Sequence, residues 1–233
     1  MLSILNRMST YAEYITAPLV EKKECIERIY NCISNKGIQF NLIHNKEVIQ
    51  WLFGDNDFLH TRISGELVTT KTKSRITELL KSEEDKWGRE TLHTIRPDLR
   101  LDKQWTNRFG EYLCSDLYTL QGYTPTKPPI KDHYQPDLET ASDILEAKIQ
   151  TYYTTGTACE KVLGTPLKYA EVPRLYGKPL TIVCMAGAEM LCRNQYKMMG
   201  TDLSPEKEKI INYYKDIMRI KYIGATDILL SLE

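Results

Sequence analysis

Two acidic residues and a lysine near the middle of the chain have the types and spacing of a metal-dependent hydrolytic site. Glu146 follows Asp137 by nine residues, and Lys148 lies two residues further on. The Thr-Ala-Ser-Asp run at 140–143 is typical of a turn, and apolar and polar residues alternate after it. We therefore interpret the segment as a β-hairpin. Because side chains alternate along a strand, the three side chains would share one face.

A four-residue loop determines the register of this hairpin. The predicted cross-strand pairs are Glu139 with Ile144, Leu138 with Leu145, and Asp137 with Glu146. Two carboxylates placed directly opposite each other have Cβ atoms ~5 Å apart and repel each other. A hard divalent cation with oxygen ligands would compensate that repulsion. Mg²⁺ fits best, since it binds one or two carboxylates together with water and phosphate.

Lys148 adds an amine to the same face, where it could hold or activate a water molecule. Two carboxylates, a divalent ion and an amine together are typical of a site that hydrolyses phosphodiester bonds. The Glu-x-Lys triplet alone has little specificity, because it occurs three times in the chain. A surface hairpin with a solvated charged face is the alternative interpretation. A register change of one residue would put Glu139 or Asp143 in the place of Asp137.

The Pro-Asp pair at Asp137 and the later Glu146-Ala147-Lys148 triplet resemble the P-D…(D/E)-x-K signature of the PD-(D/E)XK, or restriction-endonuclease-like, nuclease superfamily. The resemblance implies that Asp137 and Glu146 bind Mg²⁺ and that Lys148 assists the attacking water. Ala147, in the middle of the triplet, would face the core.

The resemblance extends over residues 108–187, and the stretch 152–166 is similar to the segment after the catalytic lysine in type II restriction endonucleases. It implies that Glu111, on the helix before the hairpin, is a further catalytic acid that faces the metal site. A solvent-facing helix glutamate is the alternative. Glu160 and Lys161 near the next helix start are interpreted as an exposed pair, with a supporting role in the site as the alternative.

The periodicity of apolar residues predicts the elements that must position these side chains. Predicted helices cover residues 11–15, 21–34, 45–53, 72–87 and 103–121, with 54–70 as loop and some extended structure. After the hairpin we expect a helix at 156–163, a strand at 179–186, a long amphipathic helix at 205–222 and an apolar element of undefined type at 225–232.

This order favours an α/β or α+β fold: a restriction-endonuclease-like core with a central mixed β-sheet flanked by helices, plus an N-terminal helical region. Residues 1–100 would be the helical region, contacting DNA or another protomer, and residues 101–233 the nuclease core. Both parts could equally form one compact domain.

Side chains suited to DNA lie outside the signature. Basic and hydroxyl residues at a helix start bind phosphates, whereas arginine and carboxamide side chains read base edges. The candidates are Lys71, Lys73, Arg75, Asn107, Arg108, Arg193, Asn194 and Gln195. A solvated helix end is the alternative for the basic run at 71–75.

The composition restricts the class of protein. The 233 residues carry 31 Lys and Arg against 31 Asp and Glu, so the formal net charge is zero and a dedicated cationic nucleic-acid coat is excluded. The six cysteines include no C-x-x-C pair, which argues against an ordinary zinc site. With no signal peptide or membrane-length apolar run, we expect a cytoplasmic protein, in a bacterium or a virus-infected host cell, without a membrane partner.

These observations predict a Mg²⁺-dependent type II restriction endonuclease that hydrolyses double-stranded DNA at a short specific site. A homodimer is expected, because two-fold proteins match palindromic sites. A nuclease of the same fold that acts on junctions, mismatches or damaged ends is one alternative. A non-enzymatic DNA-binding protein is the other.

Overall fold

The computed structural model describes residues 8–63, 73–99, 105–153, 158–200 and 203–232, which form an α+β fold with a four-stranded mixed sheet flanked by helices. The helices before the sheet are α1 (Tyr11–Thr16), α2 (Leu19–Ser34), α3 (Lys46–Leu52), α4 (Asp57–Ile63), α5 (Lys73–Ile95) and α6 (Trp105–Leu120). The later elements are β1 (Leu138–Glu139), β2 (Ile144–Gln150), α7 (Ala158–Lys168), α8 (Val172–Tyr176), β3 (Leu180–Ala186), α9 (Gly187–Met190, continued by a π-turn at Leu191–Gln195), α10 (Pro205–Asn212, continued by a π-turn at Tyr213–Ile217), β4 (Ile220–Gly224) and α11 (Ala225–Leu230). The coarse fold class is thus confirmed. None of the described helices has both the length and the apolar character needed to span a membrane.

Local sequence explains the first helices. Thr10 caps α1 by accepting a hydrogen bond from the Glu13 N–H, and the Glu13 carboxylate accepts one from the Thr10 N–H, which is a capping box. α2 begins directly after Pro18 and buries one stripe that includes Cys25 and Ile29. The predicted helices α1, α2 and α3 are confirmed with boundary shifts of one or two residues.

Two predictions in this half are wrong. Residues 57–63 were expected as loop but form α4, whose two buried side chains, Leu59 and Ile63, are too few for a visible helical period. Residues 64–70 of that expected loop lie outside the described ranges. Helix α5 continues beyond Trp87 to Ile95, through Gly88. The glycine permits close packing of α6, because a Cβ there would lie 2.1 Å from the Trp105 ring.

The sheet has the order β1-β2-β3-β4. β1 is antiparallel to β2, with Leu138 opposite Leu145 and Glu139 opposite Ile144, which confirms the predicted hairpin register for these pairs. β2, β3 and β4 run parallel. Parallel neighbours need a crossover connection, and α7 with α8 supplies the one between β2 and β3.

The two faces of the sheet pack against different apolar clusters. Leu145 and Val183 belong to a cluster with aromatic residues of the N-terminal helices, including Trp51 and Phe109. Ile144, Ile182 and Cys184 belong to a second cluster, together with Val162 of α7. Because side chains alternate along β2, Glu146 and Lys148 lie on the Ile144 side, toward α7.

The predicted long helix at 205–222 is wrong in its second half. The helix ends in the π-turn, Arg219 takes a left-handed conformation with φ of 58°, and the chain then enters β4. An amphipathic helix would bury its apolar side chains, yet Ile210 and Ile217 are 47% and 67% exposed. Residues 220–224 form a strand that pairs with β3. Their apolar side chains also fit a helical period, so the sequence pattern did not distinguish the strand from a helix. The apolar element expected at 225–232, whose type the sequence left open, is the helix α11.

Candidate active site

A short turn brings Asp137 and Glu146 together. The Thr140 hydroxyl oxygen accepts hydrogen bonds from the N–H groups of Ser142 and Asp143, at 3.3 and 3.0 Å. Asp137 lies just before β1, and its Oδ2 accepts a hydrogen bond from the Ala147 N–H at 2.8 Å. The expected backbone pairing of Asp137 with Glu146 is therefore absent from the β1–β2 ladder. In its place the Asp137 side chain accepts a hydrogen bond from the β2 backbone.

Glu146 is 5% exposed, and its two carboxylate oxygens have different surroundings. Oε1 accepts a hydrogen bond from Lys148 Nζ at 2.5 Å. Oε2 is buried and has no hydrogen-bond partner in the described part of the chain. Burying a carboxylate oxygen without a partner is costly, so this atom is suited to a cation.

Asp137 and Glu146 interact electrostatically. The pKa of Asp137 is raised from 3.8 to about 6, mainly by burial, then by the charge of Glu146 and, to a smaller extent, by that of Glu111. The hydrogen bond from Ala147 and the charge of Lys148 act in the opposite direction. The predicted repulsion between Asp137 and Glu146 is therefore present.

Tyr169, after α7, was not expected at the site. Burial raises the pKa of its hydroxyl above the usual range, and the charges of Glu146 and Asp137 raise it further. Hydrogen bonding to the Glu146 carboxylate raises this pKa as well, although the buried Oε2 has no hydrogen-bond partner of normal geometry in the described part of the chain. Sequence patterns gave no signal for Tyr169, because it lies 23 residues beyond Glu146 and outside any motif.

Glu111 lies at the site because α6 approaches β2 closely. At Gly110 a Cβ would come within 2.9 Å of Ile149 Cγ2, so glycine permits this approach. The Glu111 carboxylate forms an ion pair with Arg108 at 3.2 Å. Glu111 therefore has a cationic partner of its own, whereas Asp137 relies on Lys148 and a backbone N–H.

These side chains line an open cavity of about 480 Å³ between the hairpin, α6 and α7. Its wall consists of Thr106, Asn107, Glu111, Asp137, Glu146, Ala147, Lys148, Ile149, Lys161 and Val162. The cavity thus includes all four residues predicted to be catalytic. Lys161, interpreted mainly as a surface residue, also belongs to it; the side chain of Glu160 lies outside the described part.

The residues proposed as substitutes for Asp137 are engaged elsewhere. Lys178 donates to the Glu139 carboxylate at 2.7 Å. Asp143 Oδ1 accepts from the Thr181 hydroxyl at 3.0 Å and lies 3.4 Å from Lys221 Nζ. Glu84-Asp85-Lys86 is another of the three Glu-x-Lys triplets. Its buried Glu84 carboxylate has a structural role, because it accepts hydrogen bonds from Trp51 Nε1 and the Tyr152 N–H.

The candidates for DNA contact are spread over the molecule. Asn107 lines the cavity and is exposed, and Arg108 is held by Glu111. Lys73 and Arg75 are exposed at the start of α5, away from the cavity lining, and Arg75 pairs with Glu78 at 3.0 Å. Lys71 lies outside the described residues.

Arg193 needs a correction. It is 8% exposed, its Nε donates to Glu189 at 2.9 Å, its Nη2 lies 2.6 Å from Asp227, and its guanidinium stacks on the Tyr11 ring. Arg193 is therefore a buried member of an ion-pair network and not an exposed side chain of the kind expected for a DNA contact. The neighbouring Asn194 and Gln195 are exposed on the π-turn, and Asn194 donates to Met190 Sδ.

The carboxylate ligands available at the cavity are suited to a divalent ion that keeps most of its bound water molecules. In the described ranges no group of three or more His, Cys, Asp or Glu side chains is arranged to hold a metal ion. Asp137 and Glu146 would thus be the protein ligands, and water or substrate would supply the rest, which is the usual arrangement for Mg²⁺. The unpartnered Oε2 and the mutual repulsion of the pair are the observations that support this fit.

Comparisons with known proteins add no relative: no family model matches the sequence, and no similar protein was found among curated proteins or solved structures.

Proposed function

We propose that this protein is a Mg²⁺-dependent endonuclease that hydrolyses phosphodiester bonds of double-stranded DNA at a short specific site, like a type II restriction endonuclease. One observation carries the proposal. Asp137 and Glu146 repel each other on one cavity wall, the buried Oε2 of Glu146 has no partner among the described residues, and Lys148 Nζ lies 2.5 Å from Oε1. The resemblance to the PD-(D/E)XK signature supports the same reaction.

Each side chain has a distinct task in this mechanism. Asp137 and Glu146 would hold Mg²⁺, which supplies Lewis-acid stabilisation of charge on the scissile phosphate. Glu146 Oε1 accepts a hydrogen bond from Lys148 Nζ and so orients that amine. Lys148 therefore acts as a fixed positive charge and hydrogen-bond donor toward the phosphate as negative charge builds up.

Digestion of a supercoiled plasmid with Mg²⁺ and with EDTA tests the function. Discrete fragments with a common end sequence are expected with Mg²⁺ alone. The Glu146→Gln variant should be inactive, whereas Glu139→Gln on the same hairpin, whose partner Lys178 lies outside the cavity lining, should cut normally.

Other digestion products distinguish the alternatives. Nicks or random ends would indicate a junction or repair nuclease of the same chemistry. If the plasmid stays intact at every Mg²⁺ and Mn²⁺ concentration while the protein binds DNA tightly, the protein is a non-enzymatic DNA-binding protein and the nuclease proposal is wrong. The homodimer remains a prediction, which sedimentation with a palindromic duplex would measure.

A further inference from the structure

Lys161 is the cation of the cavity wall that the proposed chemistry leaves unused. Lys148 donates to Glu146, and the acidic Glu111 is paired with Arg108. Lys161 is exposed and has no ion-pair partner among the described residues. A lysine at the edge of a cavity lined by three carboxylates, yet paired with none of them in the described structure, is available to an anion.

The position of Lys161 is well defined by its neighbours. Val162, the next residue, is 2% exposed in the apolar cluster under the sheet, and its carbonyl accepts a hydrogen bond from the Tyr222 hydroxyl of β4 at 3.1 Å. The Lys161 carbonyl accepts one from the Thr165 hydroxyl at 2.6 Å. The hydrogen bond from Tyr222 thus ties this turn of α7 to the sheet, and Lys161 lines the cavity from a backbone held in place.

The cavity has two electrostatic parts. Among the lining residues, Glu146 is buried and Asp137 is half-buried, whereas Lys161 and Asn107 are exposed. Lys161 and Asn107 belong to the N-terminal turns of α7 and α6, and helix N-termini favour anions. A ligand that brings an anionic group to both parts, with a cation at the acids, matches this distribution of charge.

The size of the cavity also exceeds what a metal ion needs. A water molecule takes ~30 Å³ of liquid volume, so an ion with six waters would fill less than half of the space. The cavity measures about 480 Å³. Space remains for a phosphate at the acids and for part of the chain attached to it.

We propose that Lys161 binds a backbone phosphate next to the scissile one, so that the cavity takes a continuous phosphodiester strand. This inference rests on the proposed function and names the substrate contact on the α7 side of the site. Lys161 would contribute to binding in the ground state and the transition state alike, and would act on KM more than on kcat.

The test compares Lys161→Ala, Lys161→Arg and Lys209→Ala. Lys209 is exposed on α10 and outside the cavity lining, so its variant controls for the loss of one positive charge. DNA binding is measured in Ca²⁺ at several salt concentrations, and cleavage in Mg²⁺ by steady-state kinetics. For Lys161→Ala we expect about tenfold weaker binding and a tenfold higher KM at nearly unchanged kcat. The slope of log K against log salt should fall by ~0.9, the loss of one phosphate contact.

The outcomes separate the two proposals. Lys161→Arg should restore the slope, and Lys209→Ala should leave it unchanged. An unaltered slope and KM in Lys161→Ala, or an equal loss in Lys209→Ala, would overturn the role of Lys161 while the nuclease proposal stands. A parent protein that neither binds nor cuts DNA overturns the proposed function and this inference with it.

Discussion

At the scale of residues, the site places two carboxylates on one face and gives a nearby amine to only one of them. Lys148 donates to Glu146, whereas Asp137 is stabilised only by the Ala147 N–H and the more distant charge of Lys148. Burial, followed by the charge of Glu146, raises the pKa of Asp137 to about 6, and the Ala147 N–H and Lys148 offset this only in part. We therefore expect Asp137 to change its charge near pH 6.

Replacement of Lys148 tests its role in the reaction. Lys148→Ala should slow single-turnover cleavage by ~10² or more, the usual contribution of a positioned acid–base or electrostatic group. DNA affinity in Ca²⁺ should change little, since binding is spread over many phosphate contacts. A folded Lys148→Ala protein that binds and cuts at the parent rate would remove this lysine from the mechanism.

The pKa of Asp137 leads to a stability prediction. Between about pH 4 and pH 6 the folded protein holds a proton that the unfolded chain has lost, because the pKa is about 6 when folded and near 3.8 when unfolded. Stability from this group is complete below pH 4 and is lost as pH rises through 6. Without divalent cations, Asp137→Asn should therefore be more stable than the parent above pH 6, by up to about 3 kcal/mol.

Urea denaturation in EDTA from pH 4 to pH 8 measures this difference. The two proteins should have similar free energies of unfolding at pH 4 and separate as pH rises. Parallel pH profiles would mean that the Asp137 carboxylate costs the folded state nothing.

Sequence reasoning located the hairpin residues because their information is local. The turn at 140–143 and the alternation after it determine the register, so Asp137, Glu146 and Lys148 could be placed without tertiary structure. Arg193 shows the limit. Its partners Glu189 and Asp227 are on different elements, and no pattern in the sequence distinguishes a buried arginine in such a network from an exposed one.

At the scale of elements, the packing of α6 on β2 is the contact that builds the cavity. Gly110 permits the two to approach, and the residues on either side of it, including Asn107 and Glu111, then line the cavity. A matched glycine exists on α7: apart from the helix's own backbone, no atom of the described residues lies within 4 Å of where a Cβ of Gly164 would be. Substitution of Gly110 therefore tests close packing, whereas substitution of Gly164 tests the effect of glycine on the helix backbone alone.

Gly110→Ala and Gly164→Ala should therefore have opposite effects. A methyl group at Gly110 would lie 2.9 Å from Ile149 Cγ2. The overpacking cost of ~1–3 kcal/mol should exceed the helix-propensity gain of up to ~1 kcal/mol. Gly164→Ala should only gain, by ~0.5–1 kcal/mol. Urea denaturation at pH 7 measures both, and stabilisation by both substitutions would show that α6 adapts freely.

The sequence predicted an element well where its apolar residues keep one spacing over the whole element, and poorly where that spacing changes within a segment. α6 buries one continuous stripe and was located within two residues of its observed ends. The segment 205–224 combines a surface helix with a strand, and the helical period continues by chance into β4. The exposure of Ile210 and Ile217 could not be foreseen, because an apolar stripe is ordinarily buried.

At the scale of the whole molecule, the site weakens the fold that contains it. The N-terminal helices and one sheet face share a single aromatic-rich core, while the other face carries Glu146 beside a second apolar cluster. A cation that binds only the folded state would offset the repulsion between Glu146 and Asp137. The stability of the entire protein should therefore depend on divalent ions.

Thermal unfolding with and without Mg²⁺ measures this dependence. At a concentration a hundred times the dissociation constant, binding adds ~2.7 kcal/mol, which corresponds to an increase of about 5–10 °C for a chain of this size. The increase should disappear in the Asp137→Asn, Glu146→Gln double variant and should weaken below pH 6, where Asp137 is protonated. Equal shifts in parent and double variant would place the ion elsewhere.

The separation of the hairpin residues along the chain also bears on the order of folding. Asp137 and Glu146 are nine residues apart, whereas Glu146 and its β3 neighbour Ile182 are 36 apart. A hairpin closes within ~1–10 μs, and the longer parallel pairing follows. We therefore expect the carboxylates to meet while water still screens them and to be desolvated only when α6 and α7 enclose the cavity. Since that cost arises late, we expect the charge on Asp137 to determine how fast the folded protein opens rather than how fast the chain collapses.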